Sequence, residues 1–176
     1  MAKTLISTHT ASASATLDIT TGIDNTYSVY EFHCVNMHPA DDGGGFRFQV
    51  NADGETAFAE YIISTMFVAT HTESDSALLA YSTAHQALGT DYPLLNFNTG
   101  ADNDQSSSGI LTLYDPSSTT FVKHFVATGV NSSHDDQLHN HYVAGYINTA
   151  EAITEIRFKF HFDNIDAGVI KMYGVS

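Results

Sequence analysis

The chain has 176 residues, 43% of them hydrophobic, with six Lys or Arg against twenty Asp or Glu and a formal net charge of −14. That length and apolar content predict one domain, residues 1–176, with a substantial core. Six cations cannot supply the phosphate contacts of a nucleic-acid binder or the attraction to an anionic membrane surface, and the twenty Phe and Tyr residues argue against disorder.

The first ten residues carry Thr, Ser and His with little pattern, and residues 1–12 can form a flexible N-terminal arm. Their apolar run is too short for an export signal, and no stretch approaches the roughly 20 apolar residues of a membrane span. The expectation is synthesis in the cytoplasm without an export signal. Ser14 to Ile19 is the first strand-like run, and it ends at the turn cluster from Thr20 to Asn25. Tyr27 to Met37 alternates, with Tyr30, Phe32 and Cys34 on one face and Val29, Glu31, His33, Val35 and Met37 on the other. Both faces are largely apolar, which predicts a central strand covered on both sides. Cys34 is the one cysteine, so no intrachain disulfide forms, and it reads as a small buried hydrophobe.

Asp41, Asp42 and three glycines make a turn, and Phe46 to Val50 alternates with Phe46, Phe48 and Val50 inward. Ala59 to Ala69 is apolar on two faces, with Tyr61, Ile63, Phe67 and Ala69 opposite Ile62, Met66 and Val68. From Thr70 to Asn98 the pattern is weakest. Ser76 to Leu88 is compatible with a helical turn or two, or the stretch is a long connection between sheets with a short strand near Leu94 to Phe97. Beyond the loop at Gly100 to Gly109 the alternation sharpens. Strands are predicted at Ile110 to Tyr114, Thr120 to Val130, Tyr142 to Ile147, Ile153 to Phe162 and Val169 to Val175. Turn clusters recur about every ten residues, which predicts an all-β antiparallel two-sheet sandwich of jelly-roll type with about eight main strands.

His134, His139 and His141 are the densest histidine cluster. His139 and His141 share a strand face, and three imidazoles, with Asp135 and Asp136 close by, are a donor set for zinc or another transition metal. A hydrogen-bonded polar hairpin explains them as well, and no metal or other cofactor is expected. Asp102 and Asp104 offer hard oxygen ligands but lack the spacing of a calcium loop, and the Asp41–Asp42 pair is similar. Those glycines do not open a helix, so they are no phosphate cradle. The sequence holds no nucleophile elbow, His-Glu-x-x-His or P-loop, so no catalytic residues are assigned and a non-enzymatic protein is expected. Tyr92, Tyr114 and Tyr146 are candidates for a sugar-stacking platform. Asn131-Ser132-Ser133 is a glycosylation sequon.

The segments ATLDITTGID at residues 15–24 with Tyr27 to Pro39, then SGILTLYDPSSTTFVKHF, HYVAGYINT and NIDAGVIKMYGV at residues 108–125, 141–149 and 164–175, resemble phrases of tailed-bacteriophage virion structural proteins of the marine and cyanobacterial phage type. The resemblance covers most of the chain and is weakest over Thr70 to Asn98. It implies a capsid decoration or cement protein on the outer shell, homotrimeric, whose partners are the major capsid protein or other virion proteins. A tail- or fibre-associated component is the nearest variant, and a carbohydrate-binding sandwich is the alternative from the residues alone. Val29, Val35 and Met37, or Ile62, Met66 and Val68, are the apolar strand faces expected to be buried by self-association.

Overall fold

The computed structural model describes residues 2–176, which form eleven β-strands and no helix. In chain order these are β1 (Lys3–Ser14), β2 (Leu17–Ile19), β3 (Val29–Pro39), β4 (Phe46–Ala52), β5 (Ile62–Thr72) and β6 (Ala77–Tyr81). The chain continues with β7 (Ser107–Tyr114), β8 (Lys123–Ser132), β9 (Gln137–Ile147), β10 (Ile153–Phe160) and β11 (Ile165–Val175). An eight-stranded sheet runs β1-β11-β3-β7-β8-β9-β5-β6, and a three-stranded sheet runs β2-β10-β4. Every ladder pairs antiparallel.

The two sheets face each other as a β-sandwich. Phe158 of the small sheet meets Phe32 of the large one at 5.7 Å between ring centroids, and Phe48 meets Phe125 edge-on at 5.0 Å. Such pairs add about 0.5–1.5 kcal/mol each beyond their area. Alternation sends Phe46, Phe48, Val50, Ile156, Phe158 and Phe160 of the small sheet into this core. Tyr30, Phe32, Leu111, Leu113, Phe125 and Ile170 answer from the large sheet. Three strands cannot cover eight, so Leu95 and neighbouring loop residues close part of the remaining inner face.

Several expectations change. Residues 3–12, read as a flexible arm, lie in edge strand β1, which pairs with β11 from Lys3↔Val175 to Ser14↔Ile165. Their alternation is weak because only Ala11 of this strand is fully buried. The weakly patterned stretch holds strand β6 in place of helical turns, since the ladder to β5 overrides the helix propensity of Ala and Leu. The 27–37 run is covered on one face only. Within it Met37 changes sides: Asn36 takes φ 51°, a bulge that Asn tolerates, and Met37 turns into the core with no exposure. Phe162, expected inward, lies beyond β10 and is 78% exposed.

Asp75, Asn98, Asp115 and Asp136 also adopt positive φ. Short side chains that accept local hydrogen bonds suit this conformation, which is why so many acids sit at turns.

Candidate functional site

The histidine cluster divides. His134 sits exposed in the β8–β9 turn, with Nε2 3.4 Å from Asp135 Oδ1. His139 and His141 point to the inner face of β9, where both are buried and their rings lie 5.7 Å apart. Phe97 packs against both, at 5.5 and 4.8 Å. His141 Nε2 lies 2.8 Å from Asn131 Oδ1. The Asn131 amide nitrogen donates to the Phe97 carbonyl, so the oxygen must accept, and Nε2 of His141 carries the proton. Burial pushes His141 down to about 3, with the neighbouring His139 adding to the effect, and burial also lowers His139. These are neutral core histidines. Among the described residues, no group of three or more His, Cys, Asp or Glu side chains is placed to hold a metal ion. Because the Asn131 side chain is buried and bonded on both ends, its sequon offers no open acceptor for a glycan.

The other candidates are also dispersed. Asp102 and Asp104 are exposed at a turn closed by Gln105 N–H donating to the Asp102 carbonyl at 2.8 Å. Asp42 accepts from Ala101 N–H at 2.8 Å and so ties two loops together. The neighbouring Asp163 carboxyl raises Asp41 above the usual carboxylate range. Tyr114 and Tyr146 lie on the outer face of the large sheet, whereas Tyr92 packs near Lys159 on the outside of the small sheet. The three tyrosines therefore make no common platform. Cys34 is buried as expected, and burial pushes its thiol up to about 12.

Of the apolar residues expected to mediate association, Met37, Ile62, Met66 and Val68 are core residues. Strand β5 is apolar on both faces, so alternation alone could not say which face turns in. The outward set is Ile63, Thr65, Phe67, Ala69 and His71.

That outward set belongs to an unusual surface. Strands β7, β8, β9, β5 and β6 are adjacent in the large sheet. Their outward positions carry no Asp, Glu, Lys or Arg. The one charged residue on these strands is Lys123, and it points inward, donating from Nζ to the Thr149 carbonyl at 3.1 Å. In a chain with twenty acids, all the carboxylates lie elsewhere.

The register organises this face in rows across the strands. Tyr142 of β9, Phe67 of β5 and Tyr81 of β6 are direct cross-strand neighbours. Phe67 and Tyr142 stack at 4.9 Å and 12°. Phe67 is 43% exposed and Tyr81 61%. The next row, Val126–Ala144–Thr65, is small, and the row after it is His124–Tyr146–Ile63. Over the small row lies an open groove of about 680 Å³, bounded by the His124–Tyr146–Ile63 row, by Tyr81 and by residues 85–87 after β6. A second groove, of about 600 Å³, opens on the other side of Tyr142 toward Val35 and Val130. Beyond β7 charge returns: Glu31 of β3 binds Lys3 and His33, each at 2.7 Å. Sequence reasoning missed this face; the signal that finds it is the absence of charge across five strands once their order is known.

No family model matches the chain, and no curated protein matches it either.

Proposed function

We propose that this protein is a non-enzymatic structural component of a tailed-phage virion, a capsid decoration or cement protein that stabilises the outer shell. One observation carries the reading: a broad, uncharged, aromatic sheet face on an otherwise acidic sandwich. A free monomer gains nothing from leaving such a face and the apolar edge strand β6 in water. An assembly protein covers them. The strand and turn phrases that resemble virion proteins supply the context, and a tail- or fibre-associated place in the particle is the nearest variant. The acidic loops then face solvent and disfavour adsorption to nucleic acid.

The test is proteomics of purified particles from the source of the gene, followed by cryo-electron microscopy of those particles. Many copies of the sandwich on the shell are expected. Density confined to the tail would replace the decoration reading by the tail variant, and absence of the chain from particles would overturn the virion reading.

A further inference from the structure

We infer that the outer face of β7-β8-β9-β5-β6 is a self-association surface, and that its occupant is the same face of a second copy related by a two-fold axis. The inference deepens the structural reading above by naming the partner of that surface.

Three observations select a second copy. The first is charge. Two chains of −14 repel wherever their acidic loops meet; the carboxylates bordering this face, Glu73, Asp102, Asp104 and Asp136, gather at one end of it, so two copies can approach through its uncharged remainder. A basic partner would instead be steered to the carboxylate-rich loops.

The second is size. Five strands about 4.8 Å apart, of 8, 10, 11, 11 and 5 residues at about 3.4 Å each, cover roughly 730 Å². That is close to what one partner contributes to a standard stable interface, about 800 Å². Its composition, with exposed Phe67, Tyr81, Tyr142, Val126 and Leu79 and no formal charge, is that of an interface core.

The third is shape. The aromatic row Tyr142–Phe67–Tyr81 stands beside the low row Val126–Ala144–Thr65. A two-fold axis between the rows seats the ridge of each copy in the groove of the other. A ridge beside its own complement suits an isologous pair. A three-fold ring needs two different patches, so the pairing departs from the homotrimer that the resemblance implies.

Sedimentation equilibrium of the full chain at micromolar concentration tests the inference. The expected mass is twice the 19.1 kDa of one chain. Thr65→Lys fills the groove against the partner's aromatic row and Tyr142→Lys removes the ridge, and each buries an unpaired charge in the interface. Each is expected to weaken association by at least about tenfold. Thr4→Lys, on the exposed flank of β1, is the control and should leave the dimer intact. Circular dichroism of each variant confirms folding, and a charge variant that fails to fold is replaced by Thr65→Glu or Tyr142→Ser. A monomeric wild-type chain, a trimer, or a dimer indifferent to every folded face variant overturns the inference. A monomer in solution that is nevertheless present on purified particles would overturn the pairing and leave the virion reading standing.

Discussion

The imidazole of His141 donates to Asn131 Oδ1 at 2.8 Å while its Nδ1, also buried, has no hydrogen-bond partner. A proton added at Nδ1 would be a buried charge, with His139 on the same strand face and Phe97 above. The folded state therefore holds His141 near 3 against an ordinary value of 6.5. The unfolded chain binds more protons in that window, so the contribution to stability is complete above about 6.5 and is lost as pH falls toward 3. The slope is about 1.4 kcal/mol per pH unit for this group alone. Urea midpoints should fall steeply from pH 6.5 to 4. In His141→Gln, whose amide can donate to Asn131, the midpoint should start lower at pH 7 and fall less steeply. An equal slope in both proteins would show that other groups govern acid stability.

The bulge at Asn36 gives a second expectation. Its φ of 51° disfavours β-branched residues, and it decides that Met37 enters the core. Asn36→Gly should change stability by only a few tenths of a kcal/mol. Asn36→Val should cost about 1–3 kcal/mol, from strain or from loss of the bulge. For a chain of this size each kcal/mol corresponds to roughly 2–4 °C in thermal midpoint. Equal midpoints for the two variants would contradict this account of the bulge.

These two positions show where the sequence is legible. The sandwich class and the inward sets Phe46–Phe48–Val50 and Ile156–Phe158–Phe160 follow from simple alternation. Met37 breaks its alternation because one positive φ shifts the parity of every later residue in the strand. β6 has no alternating charge to mark a solvent face, so ALLAY reads as readily helical as extended. The uncharged face is invisible along the chain because β5 and β9 pair across more than sixty residues of sequence. The two-residue spacing of His139 and His141 puts them on one strand face, but their burial involves Phe97, which a long loop delivers.

Gly145 tests the packing of the core beneath the outer face. A Cβ there would strike the Ile63 carbonyl oxygen and lie 2.6 Å from the Phe125 ring. Phe125 itself meets Phe48 of the opposite sheet, so the ring cannot retreat without disturbing the contact between sheets. Gly145→Ala should destabilise by about 2 kcal/mol or more, or abolish soluble expression. Gly54, with nothing within 4 Å of an added Cβ but φ 81°, is the comparison. Gly54→Ala should cost only about 1 kcal/mol, from backbone strain. A thermal midpoint for Gly145→Ala at or above that of Gly54→Ala would refute the close approach.

Arg157 and Asp18 join β10 to β2 by two parallel hydrogen bonds, Nε to Oδ1 at 2.7 Å and Nη2 to Oδ2 at 2.6 Å. The guanidinium also lies 4.2 Å from the centroid of Phe58. The Arg157 hydrogen bond holds the Asp18 carboxyl below its usual range. Its stabilisation is therefore present above the ordinary value near 3.8 and is lost as pH falls below it. With both side chains about 30% exposed, the pair contributes on the order of 1 kcal/mol. Lysine cannot reproduce the fork or the stacking on Phe58. Arg157→Lys and Asp18→Asn should each lower stability by about 1 kcal/mol at neutral pH. The two substitutions together should cost less than their sum, because each alone already breaks the pair. Strict additivity in urea denaturation would mean that the two residues act independently, and that β2 is held to β10 by its short ladder and by Leu17 and Ile19 in the core.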